Sequence, residues 1–118
     1  MRSLQKQRWI QKMLNHGLNK EQLSTIKNIL KPWAGQIECV ALFGSRATGK
    51  YRDNSDIDLV LYGNIDEKTI DRLWTLFHDS DLPYKVDVAA YHLVDYSPFK
   101  RHMDEVKQIL FTQRELIN

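Results

Sequence analysis

The sequence predicts an α/β domain, a small mixed sheet backed by helices, and three observations carry that expectation. Residues 37–43, 56–62 and 84–90 are short apolar runs that read as strands. Apolar stripes at helical spacing lie between and around them. The length of 118 residues, with 42% hydrophobic and 27% charged residues, suits one domain spanning residues 1–118.

Taken in order, residues 4–16 read as a helix carrying Trp9, Ile10, Met13 and Leu14, stopped by Gly17. Asn19 can cap a second helix with Gln22 three positions on, and Leu23, Ile26, Leu30 and Trp33 give its stripe before Pro32 interrupts the run. Residues 37–43 form a buried strand. Gly44-Ser45 ends it sharply, a helical turn follows over residues 46–49, and residues 50–55 make a polar loop. Residues 56–62 alternate acid and apolar, then turn wholly apolar, as a central strand does. Asp66 caps a helix with the stripe Ile70, Leu73, Trp74 and Phe77. Asp81-Leu82-Pro83 makes a turn into the strand over residues 84–90, which holds Asp87. Ser97-Pro98 starts a last helix with the stripe Phe99, Met103, Val106 and Leu110.

Composition narrows the function classes. A net charge of +2 does not announce a nucleic-acid binder. Cys39, alone of its kind, lies in an apolar run and reads as a structural thiol. No apolar stretch approaches membrane-spanning length and the first residues lack a signal-peptide core, so the expected address is cytoplasmic, with no membrane partner. The four histidines have no metal-ligand spacing, and no serine–histidine–acid or cysteine–histidine set offers a covalent nucleophile.

The chemistry concentrates in Asp56 and Asp58. Side chains alternate on a strand, so both carboxylates are expected on one face, where they repel unless a cation or proton intervenes. A divalent ion answers that need, and magnesium suits it because it combines a few carboxylates with water and phosphate oxygens. Gly44-Ser45 stands where a strand gives way to a turn, a place whose free amides attract phosphate, and Arg46, Lys50 and Arg52 add positive charge nearby. Asp87 is expected on a neighbouring strand as a third acid. Together these describe a nucleoside-triphosphate site.

Gly44-Ser45, Ala47, Gly49, Ser55-Asp56, Asp58-Leu59 and the later Asp87 resemble the DNA polymerase β-like nucleotidyltransferase superfamily, and within it the minimal bacterial nucleotidyltransferases. The resemblance runs from Ile37 to Val88 and departs at Thr48, where many relatives have arginine. It implies the polymerase β-like fold, one or two Mg2+ ions on Asp56, Asp58 and Asp87 as catalytic and metal residues, and a triphosphate, with ATP the expected donor, on Gly44 and Ser45. It also implies a separate small helical partner of the HEPN or substrate-binding type, and an antitoxin role in which AMP goes to a tyrosine of that partner. Two other readings stay open: the catalytic subunit of a two-protein transferase acting on a small hydroxylated molecule, and a non-catalytic nucleotide-binding module.

Overall fold

The computed structural model describes residues 16–118; the helix expected over residues 4–16 lies outside the described residues apart from His16, which sits in a turn. Helix α1 (Lys20–Leu30) begins with a capping box: Asn19 Oδ1 accepts from the Gln22 amide at 2.8 Å, and Gln22 Oε1 accepts from the Asn19 amide at 3.0 Å. A single tight turn holding Pro32 ends it. Strand β1 (Ile37–Phe43) runs into the short helix α2 (Gly44–Thr48). Strand β2 (Ile57–Gly63) is joined through α3 (Glu67–His78) to β3 (Val86–Ala90), and Asp66 caps α3 by accepting from the Thr69 amide at 2.8 Å.

The four-stranded sheet has the order β3-β2-β1-β4. β2 and β3 are parallel, as a strand–helix–strand crossover requires, whereas β1 is antiparallel to both β2 and β4. Strand parity sorts the two faces. Val40, Leu42, Ile57, Leu59 and Leu61 point to one side and pack with Ile26 and Leu30 of α1 and Leu73 and Phe77 of α3 in the main core. Ala41 and Val60 point to the other and meet Met103, with Phe43, Tyr62, Tyr91 and Val94 around them.

Several sequence expectations are corrected, among them the strand expected from residue 84, which begins at Val86, and the turn expected over residues 46–49, which runs Gly44–Thr48. The last helix does not continue to Leu110: α4 (Ser97–Val106) stops, Lys107 turns to ψ 144°, and β4 (Gln108–Thr112) pairs with β1 before α5 (Gln113–Ile117). Trp74 is not core but 48% exposed, its ring stacked on His78. The strand expected from residue 56 begins at Ile57, which leaves Asp56 outside the ladder. Cys39 is half-buried in β1, and burial pushes its thiol up. No helix of the described residues is long and apolar enough to cross a membrane.

Candidate active site

The polar end of the open sheet face is built by three neighbouring segments: the β1–α2 junction and the N-terminal ends of β2 and β3. Asp58 is directly opposite Phe43 on one side and Asp87 on the other, so the two acids share a register position on parallel strands. Asp58 is pushed up to about 6, by burial first, then by the neighbouring charges of Asp87 and Asp56. Asp87, like Asp58, is half-buried, and Lys85 Nζ lies 3.7 Å from its Oδ1 in a salt bridge. Lys85 escaped the sequence reading because nothing in its local spacing marks it; it lowers Asp58 less than burial and the two acids raise it.

Gly44 lies against Asp58. It sits at φ 70°, a conformation that side chains disfavour, and a Cβ built there would run into Asp58 Oδ2. Its small size therefore makes room first for the carboxylate, not only for a phosphate. The α2 turn has no side-chain cap at its start, so its first amides remain available to an anion. The Ser45 carbonyl accepts from the Lys50 amide at 3.0 Å and from Thr48 Oγ1 at 3.2 Å, while its hydroxyl takes no part in these bonds.

The predicted site residues thus divide. Gly44, Ser45, Asp58 and Asp87 come together, with Asp56 exposed but close enough for its charge to act on Asp58. Among the described residues, no group of three or more histidine, cysteine or acidic side chains is gathered to hold an ion unaided. Two carboxylates at one register position of neighbouring strands, whose charges disfavour each other, nevertheless have the donor chemistry a divalent cation satisfies, with water and phosphate oxygens completing its shell. Lys50 and Arg52 project from the exposed loop. Arg46 is elsewhere: its guanidinium is buried and donates to the Ser55 and His16 carbonyls.

A family described as polymerase β, nucleotidyltransferase, matches residues 24–116. The chain belongs to that family. Its members generally use a divalent metal, which agrees with the acidic pair. A Haemophilus influenzae protein named "Probable protein adenylyltransferase MntA" is 37% identical over 73 residues, covering 60% of this chain and 63% of that protein. The match thus spans less than two thirds of that relative's length. Among solved structures, a toxin–antitoxin with AMP-PNP aligns with a TM-score of 0.64 at 19% identity, over 80% of each chain. A toxin–antitoxin MntA-HpeT mutant aligns with a TM-score of 0.64 at 18% identity, over 85% of this chain and 82% of that one. At such identities the likeness is one of fold, and the mixed sheet is that of the polymerase β nucleotidyltransferases.

Proposed function

We propose that this chain transfers AMP from ATP to a hydroxyl, the acceptor being a tyrosine on a separate helical protein of the HEPN type. The observation that carries the reading is the pairing of Asp58 with Asp87 beside the Gly44-Ser45 turn, acids and anion donors meeting at one end of an open sheet face. The relative named as a protein adenylyltransferase and the fold seen in toxin–antitoxin structures support the donor and the context.

In this reading the amides of Gly44 and Ser45 and the Ser45 hydroxyl hold the β- and γ-phosphates, which keeps the α-phosphorus fixed for in-line attack. Asp58 and Asp87, joined by Asp56, would hold magnesium, which supplies charge neutralisation at the phosphates and lowers the acceptor's pKa. Asp87, half exposed on its strand, takes the proton of the acceptor hydroxyl. The acceptor oxygen bonds to the α-phosphorus, the bond to the β-phosphate oxygen breaks, and pyrophosphate leaves against the turn.

The test is to incubate the chain, the helical protein that co-purifies with it, and magnesium with ATP labelled at the α-phosphate. Label on a partner tyrosine, absent with Asp58→Asn, is the expected result. Label that reaches only a free small molecule would reassign the acceptor. No transfer of label from any of the four triphosphates would overturn the enzymatic reading.

A further inference from the structure

Arg46 is the largest wholly buried side chain among the described residues, 1% exposed, and no described carboxylate pairs with it. Isolated buried charge is costly, so its surroundings must compensate. Nε and Nη2 both donate to the Ser55 carbonyl, at 3.2 and 2.9 Å, and Nη1 donates to the His16 carbonyl at 2.8 Å. The guanidinium also lies against the faces of Tyr84 at 4.3 Å and Tyr51 at 5.2 Å. Gly17 closes the cage: a Cβ there would strike the Tyr51 ring and stand 2.9 Å from Nη1. The same burial, with the Arg46 charge, lowers His16 to about 4, so its neutral Nδ1 accepts from the Leu18 amide at 3.0 Å.

This cation connects three segments around the acids. Arg46 follows Ser45 in the turn; Ser55 immediately precedes Asp56; Tyr84 leads into the strand that carries Asp87. The ladder between β2 and β3 starts with the Ile57 amide donating to the Lys85 carbonyl at 2.8 Å, so Asp56 lies just before the first bond that would fix it. Its place depends on Ser55, whose carbonyl the guanidinium fork grips twice. If burial alone mattered, an apolar side chain would fill the cage at lower cost.

We infer that Arg46 is a positioning residue: it fastens the Gly44-Ser45 turn to the lead-in segments of both acid-bearing strands through Ser55 and Tyr84, and is not itself a phosphate ligand. The inference rests on the nucleotidyl-transfer reading for its catalytic consequence, and on the fork geometry alone for its effect on ion binding.

Arg46→Lys keeps the charge without the fork, and Arg46→Met keeps much of the stem without the charge. With the full chain and its partner, both variants should lose about 30-fold in kcat per folded molecule, the folded fraction being taken from circular dichroism, while KM for ATP moves less than about threefold. Mn2+ titrated without nucleotide and followed by electron paramagnetic resonance should bind about tenfold more weakly to both, as when a metal ligand loses its supporting shell. Full kcat in Arg46→Lys with a raised KM in Arg46→Met would make Arg46 a phosphate contact. Unchanged kcat per folded molecule with unchanged Mn2+ affinity would make it a packing residue. Either overturns the inference. Should neither variant fold, Tyr84→Leu retains the fork and removes one wall; a few-fold weaker Mn2+ affinity is then expected, and wild-type affinity overturns the idea. If the wild-type chain transfers no nucleotide, the functional reading fails while the Mn2+ comparison still decides the role of Arg46.

Discussion

On one face of the sheet, Val40, Leu42, Ile57, Leu59 and Leu61 are 0% exposed, covered by α1 and α3 with Leu116 of α5. On the other face, among the described residues, only Ala41, Val60 and Met103 form a small buried cluster, and beyond it Asp58 and Asp87 stand half open. The faces differ because β2 alternates: Ile57, Leu59 and Leu61 serve one side, and Asp58, Val60 and Tyr62 the other. Helices fully cover the side whose residues gain from leaving water. Among the described residues the side bearing like charges is covered only in part, by α4 around Met103, since closing it over two carboxylates would cost more than its few apolar contacts return. Stability and chemistry are thereby carried by adjacent residues of a single strand.

The separation can be broken most strongly at two neighbours. Leu59→Ala should cost about 2–5 kcal/mol of folding stability, read from urea denaturation, because the cavity it leaves is enclosed by helices. Transfer per folded molecule should hardly change. Asp58→Asn should do the reverse: transfer falls at least about a hundredfold, or about 2.7 kcal/mol of barrier, with the urea midpoint at pH 7.5 no lower than wild type. If Asp58→Asn unfolds the protein, or Leu59→Ala abolishes turnover in the folded state, the two faces do not divide their duties in this way.

The same contrast explains what the sequence made legible. The covered face was readable since its residues repeat at helix and strand periods: Ile26 and Leu30, Leu73 and Phe77, and the apolar run of β1 all fall where the stripes placed them. Asp58 stood out as one of two aspartates in an apolar run, but the acid opposite it is Asp87 of the next strand, whereas Asp56 lies outside the ladder. The open face's cover was not readable. Phe99, Met103, Val106 and Leu110 extend one helical stripe, and no glycine or proline between Pro98 and Asn118 marks the break at Lys107. A signal was nevertheless present: Thr112 with Glu115 is a capping box, both halves of which form, and it implies that a helix begins there instead of continuing from Ser97. Arg46 is a different failure. Its cage is assembled from His16, Tyr51, Ser55 and Tyr84, segments whose meeting no local pattern encodes.

A smaller effect sharpens the boundary on the open face. Ser45→Ala should weaken AMP-PNP binding by about 1–2 kcal/mol, measured by calorimetry, because a hydroxyl donor to a charged phosphate is lost. Stability should stay within about 0.5 kcal/mol, since the hydroxyl takes no part in the bonds that the Ser45 carbonyl makes with Lys50 and Thr48. Gly44→Ala should behave otherwise, losing stability as well, for the new methyl meets Asp58 and the backbone is left-handed. Equal and unchanged nucleotide affinities in both variants would remove the turn from the site.

The smallest effect concerns protons. Asp58 is raised in the folded state to about 6 from an ordinary 3.8, so the unfolded chain releases this proton first as pH rises. The fold therefore holds its full contribution from Asp58 below about pH 4, and loses it progressively as pH climbs through 6. A shift of this size corresponds to about 3 kcal/mol, but partial exposure screens it, and about 1 kcal/mol is the expected loss. In metal-free buffer, the urea midpoint of wild type should fall relative to that of Asp58→Asn between pH 4 and 7, and then run parallel. Added magnesium should recover the difference above pH 6 in wild type alone, because a divalent ion favours the charged form that the acid pair otherwise disfavours. A constant gap between the two proteins across that range would mean that Asp58 is not strained by its neighbours. Asp58 and Asp87 would then need no cation between them, whatever their shared register on the sheet.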